Sequence, residues 1–235
     1  MNVALCLSGL TRSISYGWPL MERYLVRPFS TKVFIHTWDI DHGGDRPGLV
    51  YKSQPIPSFM DGRTKSQFFE EEIRPQFYII ESYRDWAGIN STSIPKAMFY
   101  GIYKANSQKI QYEKESGITF DLVIRARMDL FFENFMDKGE ILEVLENKVV
   151  YGCSASDKID PRFITDVFGF GNSKVMDAYS GVWEDILVRG LQRYPAELEL
   201  QDHLASNGIQ FKWSKTRYRI LNEWGNKDIR IWGDF

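Results

Sequence analysis

The amino-acid sequence predicts an α/β fold, a single Rossmann-like domain whose mixed, mostly parallel central sheet is flanked by helices. Three observations predict it. Short segments such as 2–8 (NVALCLS) and 122–124 (LVI) are apolar on both faces, as strands covered by helices on each side must be. The first 40 residues alternate strand, helix and strand, the opening of a βαβ unit. No repeat and no linker-like stretch divides residues 1–235, so the chain reads as one domain.

Taken in order, segment 2–8 is a buried strand and 9–13 (GLTRS) a polar loop that begins on glycine. Pro19 stands where a first helical turn would begin, with Leu20, Tyr24 and Leu25 as its apolar stripe. Segment 33–38 (VFIHTW) is the second strand. Residues 39–63 hold Gly43, Gly44, Gly48, Pro47, Pro55 and Pro57, a long loop of the kind that serves as a lid or binding loop. Segment 76–80 is a third strand, and Pro95 precedes a helix whose Met98, Ile102 and Ala105 recur at helical spacing up to about Gly117. Segment 120–132 (FDLVIRARMDLFF) reads as one continuous strand, and 148–151 as another. Asn172 or Ser173 caps a helix with Val175, Tyr179, Val182 and Ile186 on its buried side. Pro195 opens a further helix that Gly208 closes, and 209–235 shows no clear period.

Composition narrows the function classes. With 29 basic and 31 acidic residues the formal net charge is -2, which argues against a nucleic-acid partner, since such proteins carry a basic surplus to neutralise phosphates. The apolar runs fall far short of the roughly 20 residues that span a bilayer, and the N-terminus has no signal-peptide pattern. Cys6 and Cys153 are the chain's two cysteines and make no metal-binding spacing, so the expectation is a reduced cytoplasmic protein (host cytoplasm for a viral one). Oligomeric state is expected to be a monomer or a small homo-oligomer. Aromatic residues make up 15% of the chain, enough to fill a core and also to line a site that stacks on a base or a sugar.

The candidate chemistry gathers at strand ends. Because side chains alternate, Arg125, Arg127 and Asp129 would share one face at the carboxyl end of a buried strand, where ligands of open α/β sheets bind. Guanidinium forks suit diphosphate oxygens, and a carboxylate suits a hydroxyl or a divalent cation. The competing reading is an internal ion-pair ladder. The loop after the first strand, with Ser8, Gly9, Thr11 and Arg12, offers backbone N–H groups, hydroxyls and a cation to a nucleotide, although neither GxxxxGK[ST] nor GxGxxG is present. His36 and Asp39 close the second strand and could take a ribose or a metal. Glu197 in the 195–207 helix and Asp166 before Gly169 and Gly171 are candidate carboxylate bases. The chain has no GxSxG nucleophile elbow.

Four stretches occur together in order: 4–13 (ALCLSGLTRS), 33–39 (VFIHTWD), 100–132 ending in FDLVIRARMDLFF, and 166–204 (DVFGFGNSKVMDAYS to PAELELQDHL). On these the chain resembles GT-A-type glycosyltransferase-like proteins of bacterial surface-polysaccharide clusters and large algal viruses. The resemblance implies a nucleotide-sugar donor, a UDP-sugar favoured, and a glycan acceptor. Residues 1–132 would serve mainly the donor, and 133–235 the acceptor side and tail. It also implies that Leu7, Ser8, Gly9, Thr11 and Arg12 hold the nucleobase and ribose, and that Glu197 and Asp166 face sugar or acceptor. The Asp-x-Asp motif that binds metal in such enzymes is replaced by Arg127-Met128-Asp129. Either Asp129 holds Mn2+ or Mg2+ with help from elsewhere, or Arg125 and Arg127 neutralise the diphosphate without a metal. A non-catalytic nucleotide- or carbohydrate-binding protein of the same fold is the alternative, and a nucleotidyltransferase fits the 8–13 loop poorly.

Overall fold

A computed structural model of the protein describes residues 1–40, 62–90, 93–154, 164–193, 197–220 and 230–232. Most of the glycine- and proline-rich loop expected over 39–63 lies outside the described residues, as does Pro195.

Strand β1 (Val3–Gly9) leads into helix α1 (Ile14–Met21), which winds on through a wide turn at Glu22–Val26 and a tight one at Arg27–Phe29. Strand β2 (Lys32–Trp38) follows, then the short α2 (Lys65–Phe68), β3 (Phe77–Glu81), α3 (Tyr83–Asn90) and the long α4 (Ile94–Ser116). Next come β4 (Leu122–Arg127), β5 (Leu130–Phe132), α5 (Lys138–Glu146), β6 (Val149–Ser154) and β7 (Ile164–Gly171). The chain continues through α6 (Ser173–Ser180), α7 (Val182–Arg189), α8 (Glu197–Ser206), β8 (Gln210–Trp213), β9 (Tyr218–Ile220) and β10 (Arg230–Trp232).

Among the described residues, seven strands form the main sheet in the order β3-β2-β1-β4-β7-β6-β8, and β10-β9-β5 form a second one. In the main sheet β7 alone runs antiparallel to its neighbours β4 and β6, so the predicted mixed, mostly parallel α/β architecture is what the chain adopts. Alternation along β1 explains its double-sided apolarity. Leu5 and Leu7 pack with Ile14, Trp18 and Met21 of α1 on one face, while Ala4 and Cys6 pack with Ile102 and Ala105 of α4 on the other.

Three expectations need correction. Pro19 lies inside α1 rather than opening it; the helix starts at Ile14, whose N–H donates to the Thr11 carbonyl. Its buried positions are Ile14, Gly17, Trp18 and Met21, not a stripe through Leu20. Segment 120–132 is two strands: β4 ends at Arg127, the chain turns at Met128-Asp129, and β5 pairs with β9 in the other sheet. The helix after Asn172 is likewise two, α6 and α7, separated at Gly181. Its cap is as expected, with the Asn172 side chain accepting from the Val175 N–H at 3.1 Å.

Candidate active site

The hydrogen-bonded neighbours of β1 are β2 on one side and β4 on the other, so the order of connection reverses between β1 and β4. At such a switch point the flanking connections leave in opposite directions and open a crevice beyond the strand ends. A cavity of about 100 Å³ lies there. Its lining comes from Ser8, Gly9, Leu10 and Arg12 after β1, Trp38 at the end of β2, and Arg125 and Arg127 of β4. Ile94, Ala97 and Met98 of α4 and Asp166 of β7 complete it among the described residues. The backbone turns away from β1 through Gly9 at φ 118° and Arg12 at φ 37°, left-handed conformations that glycine adopts freely and arginine rarely.

Guanidinium groups dominate the polar lining. The Asp129 carboxylate, 2% exposed, accepts from Arg12 Nη1 at 2.9 Å and from Arg127 Nε at 2.9 Å, with a second bond from Arg127 Nη2. Burial acts to raise the Asp129 pKa, and the charges of Arg127 and Arg12 override it, holding the carboxyl below the usual aspartate value. Arg12 and Arg127 remain 23% and 24% exposed, so each guanidinium keeps an edge toward the cavity side. Arg125 is buried and donates to the Ser8 and Ala126 carbonyls, while its Nε has no hydrogen-bond partner among the described residues. Three fixed cations and one carboxylate leave the crevice with a positive surplus at its β1–β4 end.

The second charged group lies across from them. Asp166 is 5% exposed. Burial, with the Asp166 charge added to it, pushes Glu197 at the start of α8 above the ordinary glutamate value. Asp166 of β7, far from β1 in sequence, therefore lines the same cavity as the arginines, whereas Glu197 is near enough to feel the Asp166 charge but is not one of the lining residues.

Behind Ser8 is a buried network. His36 is 0% exposed, and its Nε2 lies 3.2 Å from Glu81 Oε2. Lys104 of α4 pairs with the same carboxylate at 3.3 Å. Burial works to raise Glu81, yet hydrogen bonds from His36 and Tyr100 and the Lys104 charge bring it down to about 2. Burial also lowers the His36 pKa, outweighing Glu81, so the imidazole is neutral at physiological pH.

Six sequence-derived candidates thus line one cavity: Ser8, Gly9, Arg12, Arg125, Arg127 and Asp166. Others stand elsewhere. The Leu7 side chain is in the core on the opposite sheet face. Thr11 is fully buried and its carbonyl starts α1. Asp39 accepts from the Tyr83 N–H at 2.9 Å and so anchors the start of α3. Sequence reasoning did not find Glu81 or the α4 contribution. Gly101 inside a helix was the available signal, since a Cβ there would lie 3.2 Å from His36 Nδ1.

A divalent cation needs several free oxygen or nitrogen donors. Both Asp129 oxygens are engaged by guanidinium groups, and no group of three or more His, Cys, Asp or Glu able to hold a metal occurs among the described residues. As disposed, Asp129 does not fit a cation.

No family model and no curated protein matches the chain. Among solved structures it is similar to a glycosyltransferase involved in the glycosylation of the major capsid of PBCV-1. The two share 9% identity and a TM-score of 0.48 over 91% of this chain and 81% of that one. The functional reading rests on the site itself.

Proposed function

We infer that the protein is a glycosyltransferase that moves a sugar from a nucleotide-sugar donor, a UDP-sugar favoured, to a hydroxyl of a glycan acceptor. The observation that carries this reading is the set of three guanidinium groups, Arg12, Arg125 and Arg127, on one cavity at the β1–β4 switch point. Breaking the anomeric C–O bond puts negative charge on the departing nucleoside diphosphate, and preorganised cations stabilise that charge as it forms. Arg12 and Arg127 are held in place by Asp129, so the role assigned to Asp129 is orientation of the forks, and the diphosphate is neutralised without a metal ion.

Asp166 and Glu197 are the assigned carboxylates on the acceptor side. One of them accepts the proton of the attacking hydroxyl while the hydroxyl oxygen bonds to the anomeric carbon and the diphosphate leaves with the bonding pair. A displacement of this kind inverts the anomeric centre. Burial raises the Glu197 pKa above the ordinary glutamate value, which makes its carboxylate a better proton acceptor than an exposed glutamate. The N-terminal elements thus serve the donor, and β7 and α8 the acceptor.

The test is a thermal-shift screen of UDP-, GDP- and dTDP-sugars with and without Mn2+. A ligand at a hundred times its dissociation constant adds about 2.7 kcal/mol of stability. Stabilisation by one nucleotide class that survives chelation supports the reading. No stabilisation by any of them contradicts it.

A further inference from the structure

Helix α8 carries Glu197 at its start and His203 near its end, and the imidazole is turned inward, 8% exposed. Both ring nitrogens meet acceptors. Nδ1 lies 2.7 Å from Asp185 Oδ2 of α7, and Nε2 lies 2.7 Å from the carbonyl oxygen of Ala178 in the last turn of α6. Asp185 also accepts from Arg189 Nη2 at 2.9 Å. Its carboxyl stays below the ordinary aspartate value, held there first by the hydrogen bond from His203 and then by the neighbouring charges. An ionised carboxylate and a carbonyl can only accept, so each ring nitrogen must carry a proton. The competing arrangement is a bare Nε2 that accepts from Asn207 Nδ2. That contact spans 3.5 Å, the amide already donates to the His203 carbonyl at 2.9 Å, and two lone pairs would face each other 2.7 Å apart at Ala178.

We propose that His203 is held as an imidazolium that clamps α8 to the junction of α6 and α7, and that loss of its proton loosens the helix that carries Glu197. The surroundings favour the cation. Asp185 supplies the counter-charge, and the last carbonyls of α6 are the negative end of a helix dipole. Charged groups on the other elements packed against α8 are engaged elsewhere. Asp177 of α6 binds Lys109 and Asn106, Lys212 of β8 pairs with Glu143, and Asp166 of β7 lines the cavity. On α8 itself Glu199 accepts from the Gln192 and Arg193 N–H groups, and Asp202 pairs with Arg193. Removing the proton sets two acceptors against each other behind the helix, a buried mismatch that displacement of α8 relieves. The clamp is therefore closed at low pH and released as the pH rises through the titration of the ring. His203 touches no substrate and is a positioning residue. Its effect on turnover rests on the role given to Glu197, whereas the proton assignment does not.

Nitrogen NMR of the native protein at about pH 7 tests the assignment, since an ordinary histidine is largely neutral there. His203 is expected to show a proton on both ring nitrogens; a single ring proton overturns the proposal. Hydrogen exchange, corrected for intrinsic rates, is then followed across the alkaline titration of that ring. Amides of α8 are expected to lose about tenfold in protection as the proton leaves, while those of α4 keep theirs. His203→Gln should show the lower protection at every pH. Protection that ignores the ring titration, or a pH dependence that persists in His203→Gln, overturns the proposal. With a UDP-sugar that is transferred, turnover should fall with the same midpoint while UDP binding stays constant; turnover that holds its value overturns the link to Glu197. A clamp that titrates in a protein transferring no sugar removes the glycosyl-transfer reading and leaves the clamp standing.

Discussion

Asp129 shows how much a single residue can organise. It is nearly inaccessible, yet it binds both Arg127 of β4 and Arg12 of the first loop, the latter 117 positions earlier in the sequence. The folded carboxyl has a lowered pKa, so its contribution to stability is complete above the unfolded value near 3.9 and is lost as the pH falls below it. Asp129→Asn should therefore flatten the acid limb of the stability curve and cost about 2 kcal/mol at neutral pH in urea unfolding. That is less than a wholly buried pair would lose, because both guanidinium groups reach water. Arg127→Ala should leave the fold intact and weaken nucleotide binding about tenfold to a hundredfold in calorimetry, as expected for one charge-assisted contact. For Glu197→Gln the expected outcome is a fall of 10²- to 10⁴-fold in turnover with donor affinity retained. The native pH–rate profile should have an acid limb above the ordinary glutamate value, since the base must be ionised and its pKa is raised. Of these residues, Arg125 and Arg127 were legible because they alternate along an apolar strand, while Asp129 falls in the turn that ends it. The partnership of Asp129 with Arg12 was not, because local pattern contains nothing about residues so far apart.

Among the elements, α1 is placed by a close approach. A Cβ on Gly17 would lie 2.7 Å from the Leu130 carbonyl oxygen of β5, a backbone atom that cannot swing aside. Gly17→Ala is expected to cost about 1–3 kcal/mol in thermal or urea unfolding, despite alanine's better helix propensity. Strand β5 also marks an error of sequence reading. Leu130 and Phe132 continue the spacing of β4, so 120–132 reads as one strand; only the pairing of β5 with β9 reveals the break. Helix α3 was invisible for a different reason. Its buried face is short, Tyr83, Trp86 and Ala87, and its start is secured partly by the distant Asp39 carboxylate, alongside Ser82, whose Oγ accepts from the Asp85 N–H at 3.3 Å. By contrast β1, β2 and α4 were readable, because burial on both faces or a long helical period leaves its mark in the local sequence.

Across the whole molecule, strand order sets the chemistry. The run β3-β2-β1-β4 is built from the first 127 residues, and the antiparallel β7 from later in the chain is laid against it. This brings Asp166 to the same crevice as the arginines of the first loop and β4. The net charge of -2 says nothing of that local cationic surplus, which exists only once the sheet is assembled. Because guanidinium groups occupy both oxygens of Asp129, nucleotide binding should be unchanged by EDTA. The most direct measurement is calorimetric titration of UDP and a UDP-sugar, in EDTA, into the native protein and the Arg125→Ala/Arg127→Ala double variant. Saturable binding to the native protein that disappears in the double variant is the expected result; equal binding by both proteins, or binding that appears only when Mn2+ is restored, would contradict a diphosphate held by arginine forks.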